Sequence, residues 1–511
     1  MNKFFQLFLL VLLPAAVFSQ EQTAADSLYI YEQAAKNIRF IRLGATQLQG
    51  AKISKYGMAG LSYGSGSGHF RVAQEAEKSR EAKFFTEGVS TLDRFKLYGY
   101  FFFKRSWDDS LAFNQKGIKN SIQPAYFIAG KAGDFERQTF TGGGIISYAV
   151  KKDKLFISTG IDYLYNSTAG SIDPRALVYT YKLIFNPEIS YRFDNQVIGL
   201  GVTAGYGDET VTVKIKNKNF GGSQAFPDRI SYLNYGYGFI QVSTNDFFRK
   251  NTYTGLNLSY AGQLKDWNLA AKLSYLVTQE DNQFKLENGI QFIDFETFQL
   301  QNYTVDLLAS KKGRRNSQQV SFHYSKDNGD DQLISLAARN YTYKRDDAAV
   351  SYSYLSPVKR GKNYEWEAGL QYQSAYQKDA AASHVLKYTV LNPEIKNIRY
   401  WHQPNRDLLS AAVGLAARLP LNTDVQVPAT QVNVFTSGVV YPDYLYWSSK
   451  AGRASFKFNY ATDRLIQKFR TGLSFETSYL KNLSPVNNQF NTAFVPSDGY
   501  FMFNVGLNLY L

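Results

Sequence analysis

The sequence contains no cysteine, which excludes disulfide bonds, a lipid-anchored cysteine and thiol chemistry. It has only four histidines among 511 residues, and they are scattered, so the sequence predicts no metal site and no cofactor. Beyond the N-terminal stretch, no apolar run approaches about 18 residues, the length that a membrane-spanning helix needs. A membrane protein of this sequence would therefore have to cross with strands.

The N-terminus has the composition of a secretory signal peptide. Lys3 precedes a stretch at 4–17 in which Gln6 is the only polar residue, and small or modest residues at 17–19 precede a polar sequence. We predict export and cleavage after Ser19, with a buried N-terminal helix as the alternative. Residues 26–38 have the spacing of a short helix, with a disordered leader as the alternative.

Apolar and polar residues alternate with a period of two, most clearly at the C-terminus. The apolar stripe there consists of Phe501, Phe503, Val505, Leu507, Leu509 and Leu511. Similar stripes occur at 198–206, 267–277, 364–372, 452–460 and 468–479. Period two indicates strands with one apolar face, and stripes of about 9–11 residues fit tilted membrane strands better than the shorter strands of a soluble sandwich. The 16% content of aromatic residues is also typical of a membrane barrel.

The fold predicted from these stripes is all-β: a transmembrane antiparallel β-barrel of roughly 14–18 strands. Its domains are a signal peptide at 1–19, an N-terminal periplasmic or lumenal segment at 20–50, and the barrel at 51–511. Tight polar turns are predicted at 106–110, 151–154, 193–196, 264–267, 311–315 and 343–347. Longer loops are predicted at 215–229, 281–290 and 481–498, and a flexible loop is predicted for GSGSG at 64–68.

The C-terminal stripe predicts two further features. The last strand should close the barrel against the first, because lipid cannot satisfy the hydrogen bonds of an open sheet edge. The stripe from Phe501 to Leu511 should also be the assembly signal that the barrel-insertion machinery reads.

The sequence GVSTLDRFKLYGYFFFKRSWDDS at 88–110, the aromatic strands and the terminal strand together resemble an uncharacterised family of Bacteroidota outer-membrane β-barrels. The resemblance covers essentially the whole mature chain, and it implies a fold and an outer-membrane location but no substrate. The chain is more distantly similar to the long-chain fatty-acid transporter barrels. Their Asn-Pro-Ala element is absent from the matching region, EQAAKN at 32–37.

Two segments resemble known chemical sites and depart from them. SFHYSKDNG at 321–329 resembles the His-x-Ser-Asn-Gly strand of phospholipase-type barrels, but two residues are inserted and His323 is predicted to point into the lumen. DNGDD at 327–331 resembles a calcium loop, but Ala338 stands where the loop needs a glutamate, so an acidic turn is predicted. We predict no catalytic residue and expect the protein not to be an enzyme.

If the apolar stripes face lipid, the opposite residues face the lumen. This predicts a set of charged lumenal residues, namely Lys272, His323, Glu365, Glu367, Arg453, Lys457, Arg470 and Glu476. Their mixed signs indicate a hydrated or salt-bridged interior, because unpaired charges are costly away from water. The predicted occupant is a polar solute or a protein segment; alternatively, the charges pair with each other and plug the barrel.

The predicted function is a passive channel, or an accessory component of an outer-membrane uptake or secretion system. The alternatives are a structural or assembly barrel without a pore and a lipid-modifying enzyme. The net charge of +14 suggests contact with anionic lipid or lipopolysaccharide in an exported chain, and no nucleic acid. Further expected partners are the insertion machinery and a TonB-dependent receptor or another envelope protein.

The assignment of faces predicts the reactivity of single cysteines, which this cysteine-free chain can report without background. A cysteine at position 367 or 457 should react with a water-soluble thiol reagent in the assembled barrel, because both positions face a wet lumen. A cysteine at position 366 or 458 should stay unreactive because it faces lipid. The opposite result would invert the two faces.

Overall fold

The computed structural model describes residues 38, 40–51, 53, 55–220, 224–285, 291–312, 316–466, 469–485 and 488–511. The chain divides into two compact units, Met1–Ile38 and Arg39–Leu511, and the described residues other than Ile38 belong to the second. The predictions for the signal peptide and for residues 26–37 fall outside the described residues.

The described residues form a closed antiparallel barrel of eighteen strands. A separate sheet of three short strands lies in the connections. The predicted all-β transmembrane barrel is confirmed, with a strand number at the upper end of the predicted range. The strands are β1 Lys55–Gly68, β2 Lys78–Leu92, β3 Phe95–Leu111, β4 Ala125–Ile128, β5 Gly133–Lys151, β6 Leu155–Gly170, β7 Arg175–Phe193, β8 Gln196–Lys214, β9 Tyr232–Tyr235, β10 Ile240–Val242, β11 Phe247–Leu264, β12 Trp267–Lys285, β13 Phe292–Lys312, β14 Ser317–Leu333, β15 Tyr341–Leu355, β16 Lys362–Asp379, β17 His384–His402, β18 Leu408–Gln426, β19 Ala451–Ile466, β20 Phe469–Asn482 and β21 Gly499–Tyr510.

The last strand closes the ring as predicted. β21 pairs with β20 on one side and with β1 on the other, where Leu507 lies opposite Leu61. Every other barrel strand pairs with the barrel strands that precede and follow it in the chain, for example β3 with β2 and β5. The ring therefore leaves no barrel strand with an unpaired edge.

The two faces of the barrel differ in polarity because successive side chains point to opposite sides of a strand. On β8, Leu200 is 64% exposed while its neighbours Gly199 and Gly201 are buried. Leu256 and Val413 on other strands are likewise more than half exposed. These apolar side chains form an outer belt, which is the surface that a membrane barrel presents to lipid.

Short hairpins join the strands at one end of the barrel, and three of them lie at the predicted positions. They connect β5 to β6, β7 to β8 and β11 to β12. Each contains a residue of positive φ: Asp153 at 61°, Asp194 at 49° and Lys265 at 52°. A left-handed residue in a tight turn matches the right-handed twist of the strands, and aspartate tolerates this conformation well.

Other sequence-based turn assignments are wrong. Residues 106–110 lie in β3, residues 343–347 in β15, residues 327–331 in β14, and the predicted flexible loop at 64–68 lies in β1. The barrel strands are 12 to 21 residues long, which exceeds the length that a membrane span requires. Strand ends beyond the membrane, and inward faces within it, carry the polar residues that suggested turns.

The connections at the opposite end are longer and fold back on each other. The small sheet pairs β9 with both β4 and β10. The connection between β18 and β19 contains a π-helical turn at Thr436–Val440 and the helix α2 at Tyr441–Ser448. We call the connections between β3 and β5, between β8 and β11 and between β18 and β19 the loop plug. Two groups of buried apolar side chains join the loop plug to the barrel wall.

Deletion of Phe501–Leu511 should prevent assembly, because it leaves the edges of β20 and β1 unpaired in lipid. The expected result is the loss of the band that migrates differently in unheated and heated SDS gels, together with loss of the protein from the outer-membrane fraction. A heat-modifiable barrel formed by the truncated chain would contradict this closure.

Candidate functional site in the barrel lumen

The inner face of the barrel is identified by a contact with the segment that precedes β1. Lys272 Nζ on β12 donates a hydrogen bond to the carbonyl oxygen of Leu43. Lys272 lies directly opposite Asp306 on β13, and Asp306 lies opposite His323 on β14. Because residues directly opposite in register share a face, all three side chains are on the inner face.

The structure places the eight predicted lumenal residues opposite the apolar belt, but it does not bring them together into one site. His323 Nδ1 lies 2.8 Å from Asp306 Oδ1, and Glu365 Oε2 accepts a hydrogen bond of 2.9 Å from Tyr400 Oη. The remaining contacts are Lys272 with Leu43, Glu367 with Lys396 at 3.4 Å, Arg453 with Glu394 at 3.1 Å, Lys457 with Glu476 at 3.6 Å and Arg470 with Asp463 at 3.5 Å. That these residues line an open passage stays a prediction.

The phospholipase-like segment has different partners from those that hydrolysis would need. The hydroxyl of Ser325 accepts a hydrogen bond of 3.1 Å from Asn302, while His323 contacts Asp306. Within the described ranges, no group of three or more His, Asp or Glu side chains could hold a metal ion. The segment therefore contributes to the charged inner wall.

A short N-terminal segment, Phe40–Ala51, occupies the lumen beside the short hairpins, and it contains the helix α1 at Ala45–Gly50. Glu188 on β7 accepts hydrogen bonds from both the backbone N–H and the hydroxyl of Thr46, at 2.6 and 2.7 Å. Gly199 makes this approach possible, because a Cβ at that position would collide with the Thr46 hydroxyl. Glycine in a strand is typical where another part of the chain comes close.

The N-terminal segment buries Phe40, Ile41 and Leu48, and it makes polar contacts with widely separated strands. Gln49 donates to Ser147 on β5 at 2.7 Å, and Gln47 donates to the Ala271 carbonyl on β12 at 2.8 Å. The carbonyls of Gln49 and Ala51 accept from Arg192 and Lys96. Arg42 pairs with Glu87 on β2 and donates to the hydroxyl of Tyr98. The segment thus forms one closure of the lumen.

The loop plug forms the second closure, at the end with the long connections. Its apolar interior includes Phe435, Val439 and Val440, each at most 1% exposed. Asp379 on β16 accepts hydrogen bonds of 2.8 Å from the backbone N–H groups of Tyr237 and Phe239. Apolar packing and buried polar contacts therefore hold this closure together.

Arg249 links the loop plug to the wall. This side chain is 1% exposed, and its guanidinium donates to Glu209 on β8 and to the Ala125 carbonyl on β4. Its Nε also lies 3.4 Å from Glu280. Removing one partner of a buried ion pair leaves an uncompensated charge and is strongly destabilising. Arg249 is therefore a fixed attachment of the small sheet.

Two ionisable groups of the loop plug, Lys116 and Asp443, lie outside the strands and are partly buried. Burial, together with the positive charge of Arg249, lowers the pKa of Lys116 to about 7. Burial raises the pKa of Asp443 on α2 to about 7. Both shifts favour the uncharged form, as expected for desolvated groups.

Inward-facing residues of the wall line two cavities, of which the larger also touches both closures. The larger has a volume of about 590 Å³ and is lined by inward residues of β2, β3, β5 and β6, by residues 117–120 of the loop plug, and by Arg42. The smaller, of about 200 Å³, is lined by residues that include Arg453, Lys457 and Glu476. Three of the predicted lumenal residues thus share one cavity.

The residues that hold the two closures in place were not predicted from the sequence. Glu188, Gly199 and Arg249 take part in contacts with residues more than 100 positions away in the chain. The alternation of glycine and apolar residues at 199–205 carried a usable signal, because glycines along one face indicate a close neighbour. The buried Arg249 had no comparable signature.

A family model described as a family of unknown function, DUF6850, matches residues 45–511. No curated protein sequence matches the chain significantly. No helix in the described part of the chain is long and apolar enough to cross a membrane.

Several solved structures are similar to the chain at low sequence identity. They include the unliganded ferric citrate transporter FecA (TM-score 0.42, 8% identity, 90% of this chain and 79% of that chain). The siderophore receptor PiuA from Acinetobacter baumannii matches with a TM-score of 0.38 and 8% identity, over 89% of this chain and 82% of that chain. The FrpB iron transporter from Neisseria meningitidis matches with a TM-score of 0.39 and 9% identity, over 92% of this chain and 83% of that chain. TM-scores and sequence identities this low indicate nothing about the activity or the ligand of this chain.

Replacing Gly199 with alanine should displace the N-terminal segment, because the new Cβ overlaps the Thr46 hydroxyl. A cysteine at position 45, which is 4% exposed as alanine, reports the displacement by its rate of maleimide labelling. We expect labelling at least about tenfold faster, since one hydrogen bond to a charged group contributes about 1.5–3 kcal/mol and 1.4 kcal/mol is tenfold.

The matched control is Gly201→Ala on the same face of β8, where the added Cβ meets the movable side chain of Asn257. That variant should label at the parental rate. Continued protection of position 45 in Gly199→Ala would contradict the docking of Thr46 on Glu188.

Proposed function

We propose that this chain, which belongs to the family of unknown function DUF6850, is an outer-membrane β-barrel that passes a polar solute when its two closures open. The observation that carries the proposal is the charged inner wall. It lines cavities of about 590 and 200 Å³, and the larger one lies between the N-terminal segment and the loop plug. A wall built only for stability would gain more from apolar packing than from charges that need water or partners.

The proposed location follows from surface chemistry. The outer belt contains large exposed apolar side chains such as Leu200, Leu256 and Val413. Short hairpins at one end and long connections at the other are typical of outer-membrane barrels. The short hairpins would face the periplasm, so the N-terminal segment would close the periplasmic side.

The inner wall argues against an apolar cargo. Pairs such as Arg453 with Glu394 and Lys396 with Glu367 would lose their hydration beside an acyl chain. A polar solute or a polar protein segment preserves it. We therefore do not propose fatty-acid transport, although a distant resemblance suggested that comparison.

Opening by a second envelope protein is part of the proposal. Both closures are held by contacts within this chain, so their release needs an outside input or a bound solute. A TonB-dependent receptor or another component of an uptake or secretion system would supply that input, and the barrel would act as its accessory. Passage itself would be passive.

A second candidate is a structural or assembly barrel without a pore. The observation that favours it is the apolar interior of the loop plug, where Phe435 and Val440 are fully buried. If the loop plug never opens, this apolar core serves only to stabilise the fold. The two candidates differ in whether ions can cross the barrel.

Single-channel recording in planar lipid bilayers should distinguish the candidates. We expect the full chain to conduct rarely. A variant in which residues 39–51 are deleted and short turns replace the loop-plug connections 112–132, 215–246 and 428–449 should conduct in steady ohmic steps. Each single deletion should give an intermediate open probability, because the other closure remains. A doubly deleted barrel that is heat-modifiable on SDS gels and still does not conduct would favour the pore-less barrel.

A further inference from the structure

The larger cavity has a marked excess of positive charge. Its lining contains five cationic side chains, including Lys83, Lys104 and Arg137, and two acidic ones, Glu81 and Asp108. It lies between the two closures of the lumen, with Arg42 of the N-terminal segment and residues 117–120 of the loop plug in its lining. A solute in the lumen would therefore meet a concentrated positive potential here.

Arg137 on β5 has hydrogen-bond donors that the chain does not use. The side chain is 5% exposed, and its Nη1 donates to Asp108. Its Nε and Nη2 are buried, and no described residue accepts a hydrogen bond from them. Buried donors seldom lack an acceptor, because each unsatisfied donor destabilises the folded state by about 1–3 kcal/mol. Two such donors on one guanidinium fit a bidentate oxyanion.

Lys83 and Lys104 form a second unusual arrangement in the same lining. They lie directly opposite each other on β2 and β3, where like charges destabilise a pair of strands. Lys104 has Glu81 at 3.6 Å, whereas Lys83 forms no ion pair with a described residue and lies 4.9 Å from the ring centroid of Phe102. An anion between the two ammonium groups would remove the repulsion.

We propose that this cavity binds a small soluble oxyanion with more than one negative charge, carried by phosphate, sulfate or carboxylate groups. Arg137 takes the anion through Nε and Nη2, and Lys83 and Lys104 neutralise its charge. The hydroxyl groups of Ser106 and Thr141 lie in the same lining and add donors. The proposal deepens the proposed function by naming the class of solute, and it rests on that function only for the route by which the anion arrives.

Calorimetric titration of the purified full-length barrel with inorganic pyrophosphate tests the site. The measurement uses non-ionic detergent and constant ionic strength. We expect saturable binding, weakened at least tenfold by Arg137→Gln and by Lys83→Gln, because each removes a charged contact. Glucose should not bind. Lys457→Gln is the matched control: it removes an equal charge from the smaller cavity and should bind pyrophosphate as the parent does.

Absence of binding to the parent barrel, or equal weakening in Lys457→Gln, would overturn the proposal. If Arg137→Gln does not assemble, Lys83→Gln decides the matter, because Lys83 has no ion pair among the described residues whose loss would unfold the wall. Failure of this site and failure of the proposed function are separable. Conductance without pyrophosphate binding would contradict only the oxyanion site. Pyrophosphate binding without conductance would contradict only the proposed passage of solute.

Discussion

The hydrogen-bonded ring is the constraint on which the rest of the structure depends. Lipid offers no partner to a backbone N–H or C=O group, so a sheet in a membrane must close on itself. Pairing of β21 with β1 satisfies this condition. Closure then gives every strand an outer and an inner face, and it creates an interior too wide for wall side chains alone to fill. Water or other parts of the chain must occupy that space.

The two internal closures are each held by polar and apolar contacts. The N-terminal segment makes hydrogen bonds to Glu188, Ser147 and backbone carbonyls, and it also buries Phe40, Ile41 and Leu48. The loop plug buries aromatic and aliphatic side chains, and opening it would expose them to water at about 25 cal/mol per Å². Release of either closure therefore has to offset the exposure of apolar side chains as well as the loss of hydrogen bonds.

Much of the fold was readable from the sequence because period two is a local property. It located the strands, their outer faces and the closing strand, and aspartate-containing hairpins such as that at Asp194 were recognisable from composition. The wrong turns at 106–110 and 343–347 have one physical cause. A strand whose inner side chains meet water and charge carries the same residues as a turn, so polarity alone cannot separate the two.

The candidate site was less accessible to sequence reasoning, because its contacts join distant parts of the chain. The alternation predicted charged inner positions, but the pairing of Thr46 with Glu188 spans 142 residues and leaves no local pattern. Arg137 and Lys83 were not singled out, since a single arginine or lysine in a basic sequence has no distinguishing context. The strand register places Lys83 directly opposite Lys104, and only the folded sheet defines that register.

The docking of the N-terminal segment has a consequence for the order in which the chain folds. Its partners lie on β2, β3, β5, β7 and β12, and these strands surround a common space only after much of the ring has formed. Residues that precede every strand in the sequence must therefore be among the last to reach their final positions. Until then their polar groups remain hydrated, and the interior of the nascent barrel stays accessible from the side that they later close.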